Sequence, residues 1–384
     1  MTSSRLGTRE LAVTRVRTAI SRRHERDGVK RMLRQSDFSL FFVIDPPALL
    51  LDSVILASTA RYHLPDVELV AYCPDAKREF VPAFLKELYS SLNVDLRFLP
   101  PASFSPHYKQ GNKILAACQT RKPVQSIFLD TDIAIGRNFD LNDMAKPGHV
   151  GVVPEGIFTW GKPQSLWSRV YAMFDMDVPD ERVTLSRSNL QSIPYFNAGV
   201  VSFPSNSSFA EMWMETANAI DGNDEIRHRR PWLDQIALPL AITRSGMSAH
   251  VMEPGFNLSL SRNLDKPHLA ARDVLKMNAT DGRVIHYHNP VYIEGTRYAA
   301  DIDKAISTFT KYPGAAALTQ QTRDRRAEAA RVWRVFDSLK KKKRTEEEDV
   351  LFREARQRKS EIKASRINTV AGLSRYPATI LPSG

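Results

Sequence analysis

The sequence predicts an α/β fold, a sheet with helices on both faces, extended by basic helical segments at both ends. Three observations predict it. Short apolar runs of strand length alternate with helical patterns between Phe38 and Leu129. Polar or turn-forming residues punctuate these runs, as at Cys73-Pro74-Asp75 and at Asp130. The positive charge is concentrated outside that region. With 384 residues, 42% hydrophobic and 25% charged, the composition is globular, and the length allows one large α/β domain or two of ordinary size.

The elements follow in order. Residues 1–36 carry ten Lys/Arg against Glu10, Glu25 and Asp27, a net of +7, with Leu11, Val16, Ala19 and Ile20 as a patchy helical stripe. Phe38–Ile44 reads as a buried strand, Ala48–Tyr62 as a helix and Val67–Tyr72 as a second strand. A helix over Val81–Leu92, a strand at Val94–Leu99, a helix over Lys113–Thr120 and a buried strand at Val124–Leu129 come next. Strands alternating with helices in this way predict a parallel sheet, whose ligands bind beyond the carboxyl ends of the strands. After Asp140 the pattern loosens into short strands (His149–Val153, Val200–Phe203, Val284–Tyr287) separated by longer loops. A second basic stretch, residues 321–366, has sixteen Lys/Arg against nine acids and again totals +7, with the run Lys340–Arg344 between helical patterns. The last residues, Gly372–Gly384, read as a tail.

The formal net charge of +11 is therefore the sum of two basic ends and a mildly acidic body. That distribution argues against a nucleic-acid-reading body, which also lacks zinc-finger spacing and an RNP-like aromatic motif. The basic ends fit an anionic membrane surface, a partner, or plain solvated helices. No stretch approaches the roughly 20 apolar residues of a membrane span, and no secretory h-region is expected. Cys73 and Cys118 form neither a disulfide framework nor a thiolate metal site, so a reducing, cytoplasmic setting is expected.

Four segments carry candidate chemistry. Asp130-Thr131-Asp132 follows the buried run Ile127-Phe128-Leu129, so two carboxylates two residues apart can converge on one hard divalent cation. Asp-x-Asp recurs at Asp175/Asp177 and Asp301/Asp303, but the former follow a helical pattern and the latter read as first-turn acids of a helix. Phe196-Asn197-Ala198-Gly199 precedes an apolar strand, where Asn and Gly equally form a turn. Asp234-Gln235 opens an apolar helix, where an Asp equally serves as a cap. His286, at the end of Val284-Ile285, would complete an oxygen-plus-imidazole site suited to Mn²⁺. No Gly-rich phosphate loop follows the first strand, which excludes the usual nucleotidyltransferase pattern.

In order and spacing these segments resemble the GT-A fold glycosyltransferases, most closely glycosyltransferase family 8, over about residues 38–310. The resemblance implies a Rossmann-like mixed sheet with a GT-A domain at 37–312. That domain would divide into a nucleotide-binding part, 37–135, and a sugar and acceptor part, 136–312, between extensions at 1–36 and 313–384. It implies Asp130, Asp132 and His286 as ligands of Mn²⁺ or Mg²⁺ on the diphosphate of a UDP- or GDP-sugar. Asn197, Asp234 and Gln235 would line the sugar and acceptor site. Lys113, otherwise a surface-helix lysine, and Asp45 would touch the nucleotide. The chain departs from the family where Asp45 is followed by Pro46-Pro47 and His286 by His288-Asn289-Pro290. The expected activity is metal-dependent transfer of a sugar to a carbohydrate or lipid-linked acceptor, with retention, at the inner face of a membrane. A non-catalytic scaffold that binds sugar nucleotides, and a protein binding nucleic acid or membrane through its ends, are the alternatives.

Overall fold

The computed structural model describes residues 32–101, 104–162, 164–261, 267–366 and 376–382. The expected N-terminal helix over 1–36 lies almost wholly outside them. The chain divides into two units, Met1–Arg34 and Gln35–Gly384, and everything below concerns the second.

The run Phe38-Ser39-Leu40-Phe41-Phe42-Val43 is buried along its whole length and forms β1 (Phe38–Val43) near the middle of a sheet. Around it lie β2 (Glu68–Pro74), β3 (Val94–Leu99), β4 (Gln125–Leu129), β6 (His149–Pro154), β9 (Phe196–Pro204) and β10 (Ser248–Val251), while β7 (Val183–Thr184) and β8 (Gln191–Ser192) pair only with each other. The seven strands run in the order β10-β6-β9-β4-β1-β2-β3. All pairings are parallel except those of β9, which is antiparallel to both β4 and β6. The sheet is thus mixed, as the family resemblance implies, where the strand–helix alternation alone predicted a parallel one.

Helices cover both faces, because the strands are apolar on both. On one face α1 (Leu50–His63) packs beside α2 (Ala83–Ser91) and α8 (Ala299–Phe309); Tyr89 of α2 sets its ring edge-on to Phe42 at 6.2 Å and donates its hydroxyl to Ser53 Oγ at 2.7 Å. On the other face Phe41, Val43, Tyr72 and Phe128 join a continuous core with α3 (Gly111–Ala117), α4 (Gln164–Ala172), α5 (Phe209–Asp221) and α6 (Leu233–Arg244). Trp213 of α5 is completely buried, and its indole N–H donates to the Asp234 carbonyl at 3.0 Å. Burying such side chains contributes about 1.5–3 kcal/mol each, so the face of α6 that carries Asp234 is firmly seated.

A second, three-stranded sheet closes the sequence distance between the acidic turn and the late histidine. In it β12 (Val284–His286) pairs parallel with β11 (Leu258–Ser259) and antiparallel with β5 (Ile133–Ile135). His286 is registered against Ile133. The Tyr287 N–H donates to the Asp132 carbonyl at 3.1 Å.

At the C-terminal end, α9 (Ala315–Lys340) and α10 (Glu346–Arg366) form a helical hairpin, with Phe336 stacked on Phe352 at 5.1 Å and Arg358 paired with Glu328. Lys342 and Arg344 of the basic run pair with Glu348 and Asp349. The expected tail is partly folded back. Ile380 is buried and its carbonyl accepts from Lys311 N–H at 2.8 Å, while Tyr376 sits against Phe84. Apolar side chains at these positions have more to gain from that packing than from water. Among the described residues no helix is long and apolar enough to cross a membrane.

Candidate active site

The acidic turn is built by its neighbours. Thr131 is buried between the two aspartates and donates its hydroxyl to the Val43 carbonyl at 2.6 Å, tying the turn to the end of β1. On the other side the Asp130 N–H donates to the Gly199 carbonyl at 2.7 Å. The antiparallel course of β9 brings Asn197-Ala198-Gly199 past the end of β4, since Leu129 is registered on Val200. Gly199 is required there: a Cβ would lie 2.8 Å from Asn197 Oδ1, 2.8 Å from His286 Cε1 and 2.9 Å from Asp130 Oδ2. The Asn and Gly of this segment are therefore part of the strand, not a turn.

Six of the eight predicted site residues, Lys113, Asp130, Asn197, Asp234, Gln235 and His286, line one cavity of about 450 Å³. Within it the two aspartates part company. Asp132 Oδ1 lies 3.3 Å from His286 Nε2, and its Oδ2 lies 3.8 Å from His288 Nδ1. Asp130 Oδ1 instead lies 2.9 Å from Lys113 Nζ, and the same ammonium lies 3.0 Å from Asp234 Oδ2 and donates to the Ala198 carbonyl at 3.2 Å. Asp130 thus lies against the buried ammonium, while among the described residues the ligand atoms that converge are those of Asp132, His286 and His288. Lys113 is not a surface lysine. Burial alone would lower its pKa, but Asp130 and Asp234 outweigh this and hold it above the ordinary lysine value, so it stays charged.

The electrostatics differ on the two sides. Burial raises the Asp130 carboxyl above the usual range against the pull of Lys113. Asp132 is also penalised by burial, yet the His286 charge holds it below that range. His286 is lowered by burial and raised further by Asp132, so it ends above the ordinary histidine value. His288 is pushed down to about 3 by burial and by His286, and is therefore neutral at pH 7.

Among the described residues, Asp132, His286 and His288 are the group whose ligand atoms, all within 4.8 Å of one another, can hold a metal ion. The set fits a divalent ion in its donors: one carboxylate oxygen and two imidazoles, one of them already neutral. It fits in its support too. His286 Nδ1 lies 3.1 Å from Asn257 Oδ1, which directs Nε2 toward Asp132, and Asn257 Nδ2 donates to Asn197 Oδ1 at 2.8 Å. Asn197 Nδ2 in turn donates to Glu155 Oε2 at 2.8 Å.

On the far wall, Asp234 lies in the first turn of α6, whose N-cap is Trp232, so it is not the cap the sequence also allowed. Its Oδ1 accepts from Tyr108 at 2.8 Å. Gln235 Oε1 accepts from Tyr195 at 2.8 Å, and the Thr159 hydroxyl is bonded to that of Tyr195. Asp45 stands apart: it is buried between Lys77 and Lys109, the latter at 2.7 Å, and does not line the cavity. Those two ammonium groups satisfy its carboxylate. The sequence reading missed His288, Glu155, Asn257, Tyr108 and Tyr195. For His288 the signal was its spacing of two from His286; the others come from loops or strand ends without a pattern.

Residues 40–246 match the model of the Rhodobacterales glycosyltransferase domain. No curated protein matches the chain. Similar solved structures include mouse xyloside xylosyltransferase 1 in its apo form, 15% identical over 65% of this chain and 97% of that one, with a TM-score of 0.43. Another is the apo glycosyltransferase GlyE of Streptococcus pneumoniae TIGR4, 13% identical over 70% of this chain and 63% of that one, with a TM-score of 0.41. A third is the galactosyltransferase LgtC in complex with donor and acceptor sugar analogues, 15% identical over 70% of this chain and 95% of that one, with a TM-score of 0.42. Because the family match takes in more than half of its residues, the chain belongs to the Rhodobacterales glycosyltransferase domain family and is a glycosyltransferase.

Proposed function

We propose that the protein moves a sugar from a nucleotide-diphosphate donor, a UDP- or GDP-sugar, to an acceptor hydroxyl, using Mn²⁺ or Mg²⁺ and retaining the anomeric configuration, as the resemblance to family 8 implies. One observation carries this reading. The carboxylate–imidazole group of Asp132, His286 and His288 adjoins a cavity whose other walls are the hydrogen-bonding groups of Asn197, Asp234 and Gln235. Asp132, His286 and His288 would hold the ion, which neutralises the charge that builds on a departing diphosphate without a proton donor. Mixed oxygen and nitrogen donors favour Mn²⁺ over Mg²⁺.

The chain's own residues do the rest. Asn257 fixes the His286 ring. Lys113 holds Asp130 and Asp234 in place at the base of the cavity. Gln235, held through Tyr195, presents its amide to the sugar or the acceptor hydroxyl. The carboxylates lining the cavity are each engaged: Asp130 and Asp234 with Lys113, and Glu155 with Asn197 and the Gly156 N–H. None is free to attack the sugar from the face opposite the leaving group. Given the retention that the resemblance implies, this favours attack of the acceptor on the same face as the departing diphosphate over a covalent glycosyl-enzyme.

A thermal-shift screen of UDP- and GDP-sugars with and without Mn²⁺ tests the reading, because a ligand that binds the folded state stabilises it by mass action. A metal-dependent rise in Tm with one donor is expected. No shift with any donor and metal would contradict the reading.

The acceptor is proposed to be a carbohydrate or a lipid-linked one at the cytoplasmic face of an anionic membrane. Lys340, Lys341 and Lys343 are exposed at the turn of the C-terminal hairpin and support this. Replacing these lysines by Gln should release the protein from phosphatidylserine vesicles; unchanged sedimentation would remove this part of the reading.

A further inference from the structure

Beyond Arg187 the cavity continues into a smaller chamber of about 240 Å³. Ile157, Ser186, Arg187 and Ser259 line both. Arg187 is fixed by its backbone, because the N–H groups of Ser186, Arg187 and Ser188 donate to the carbonyls of Glu155 and Gly156 at 2.9, 3.0 and 3.0 Å. Its stem lies over Gly156, where a Cβ would come within 2.9 Å of Arg187 Cδ. The chamber's other cation is Lys276 of α7 (Pro267–Ala279), whose ammonium donates to the Arg187 carbonyl at 3.4 Å. Neither Arg187 nor Lys276 is ion-paired to a carboxylate among the described residues. Asp273 also lines the chamber but pairs with neither, so the lining carries two cations against one acid. Hydroxyl donors complete it. Ser259 Oγ lies 2.9 Å from His288 Nε2, which joins the chamber to the proposed metal group, and the buried Ser188 Oγ has no hydrogen-bond partner among the described residues.

The main cavity offers the opposite balance. Lys113 is committed to Asp130 and Asp234 and has no charge to spare for a ligand. Any anionic group entering the cleft is therefore drawn past it, toward the guanidinium and ammonium that have no carboxylate partner among the described residues. A guanidinium pre-positioned along a wall is also suited to two-point recognition of an oxyanion.

We propose that this chamber is an oxyanion site in which Arg187 and Lys276 grip a phosphate or carboxylate carried by a substrate. In the proposed transfer reaction, on which this assignment of source rests, that group is either the diphosphate of the donor or an acidic substituent of the acceptor.

The test uses the full chain and begins with inorganic pyrophosphate in the absence of metal, measured by titration calorimetry. Binding is expected in the wild type, about tenfold weaker in Arg187→Ala and in Lys276→Ala, and further reduced in the double variant, since each removes a charge-assisted contact. Because both side chains are exposed, Tm should be unchanged, which separates lost binding from lost folding. Equal pyrophosphate affinity in the wild type and the double variant would overturn the proposal. This arm does not depend on turnover: if pyrophosphate binds as expected but no nucleotide sugar is consumed, the oxyanion site stands and the transferase reading of the donor falls. The second arm measures donor hydrolysis without acceptor. A raised donor KM in Arg187→Ala assigns the site to the diphosphate. An unchanged donor KM, with pyrophosphate binding lost, assigns it to an acidic acceptor.

Discussion

Asp130 and Asp132 sit two residues apart on one short turn, yet they belong to opposite halves of the site. Asp130 is neutralised from within, its oxygen 2.9 Å from an ammonium that it shares with Asp234. Asp132 faces two imidazoles, at 3.3 and 3.8 Å, one of them held neutral by burial. The first half is a closed ion-pair knot between α3, the acidic turn and α6, and it holds the cavity in shape. The second half has ligand atoms in place and an unmet demand for positive charge once His286 gives up its proton. Adjacent acids in a motif are thus not equivalent. What distinguishes them is where the nearest buried cation lies, and that is a property of the fold.

The contrast can be broken by exchanging each acid for its amide. Asp132→Asn should weaken Mn²⁺ binding by roughly 100-fold or more, because it removes a direct ligand where loss of a supporting contact alone costs 10–100-fold. Asp130→Asn should leave Mn²⁺ affinity within about tenfold and chiefly destabilise the fold, by about 3–5 kcal/mol at most, since it leaves half of a buried ion-pair network unmatched. Calorimetric Mn²⁺ titration together with chemical denaturation reads both, and equal losses of Mn²⁺ affinity in the two variants would erase the distinction. Asn257→Ala sharpens the same point at one remove. It should weaken Mn²⁺ by about 10–100-fold with little change in Tm, by freeing the His286 ring.

Gly199→Ala strikes both halves at once, since its Cβ would crowd Asp130 and His286 together. A loss of about 1–3 kcal/mol in stability is expected, accompanied by weaker Mn²⁺ binding.

The smallest effect concerns Asp45, the acid outside the cavity. Burial opposes its ionisation, but Lys109 and Lys77 hold it below the ordinary value of 3.8. With a folded-state pKa depressed in this way, its contribution is present above pH 3.8 and is lost as pH falls through the folded value. Asp45→Asn should therefore cost about 1 kcal/mol at pH 7, the pair being partly open to solvent, and less than that near pH 3. Urea denaturation at the two pH values measures it.

Much of the sheet was legible. Buried runs bounded by turn residues are local features, and Val94–Leu99 was read with the bounds it has in the structure. Strand direction was not legible, because an apolar run such as Val200-Val201-Ser202-Phe203 looks the same in either orientation, and β9 runs against its neighbours. In the site, Asp130, Asp132 and His286 stood out by lying at the ends of apolar runs. The division of labour between the aspartates was hidden, since it depends on Lys113 arriving from a separate helix. His288 was hidden for a different reason. Its backbone is left-handed, with φ at 56°, so its ring lies 4.0 Å from that of His286 in a way that no strand periodicity describes. Tyr108, Glu155 and Asn257 become partners only through tertiary contact, and nothing in their local sequence announces it.

The central claim is that Asp132, His286 and His288 hold a divalent ion on which sugar transfer depends. Nucleotide-sugar turnover by the full chain, measured after exhaustive treatment with a chelator and again after adding back Mn²⁺, tests it most directly. The account predicts that turnover disappears with the metal, returns with Mn²⁺, and does not return in Asp132→Asn. Undiminished turnover in the chelated wild-type protein would contradict it.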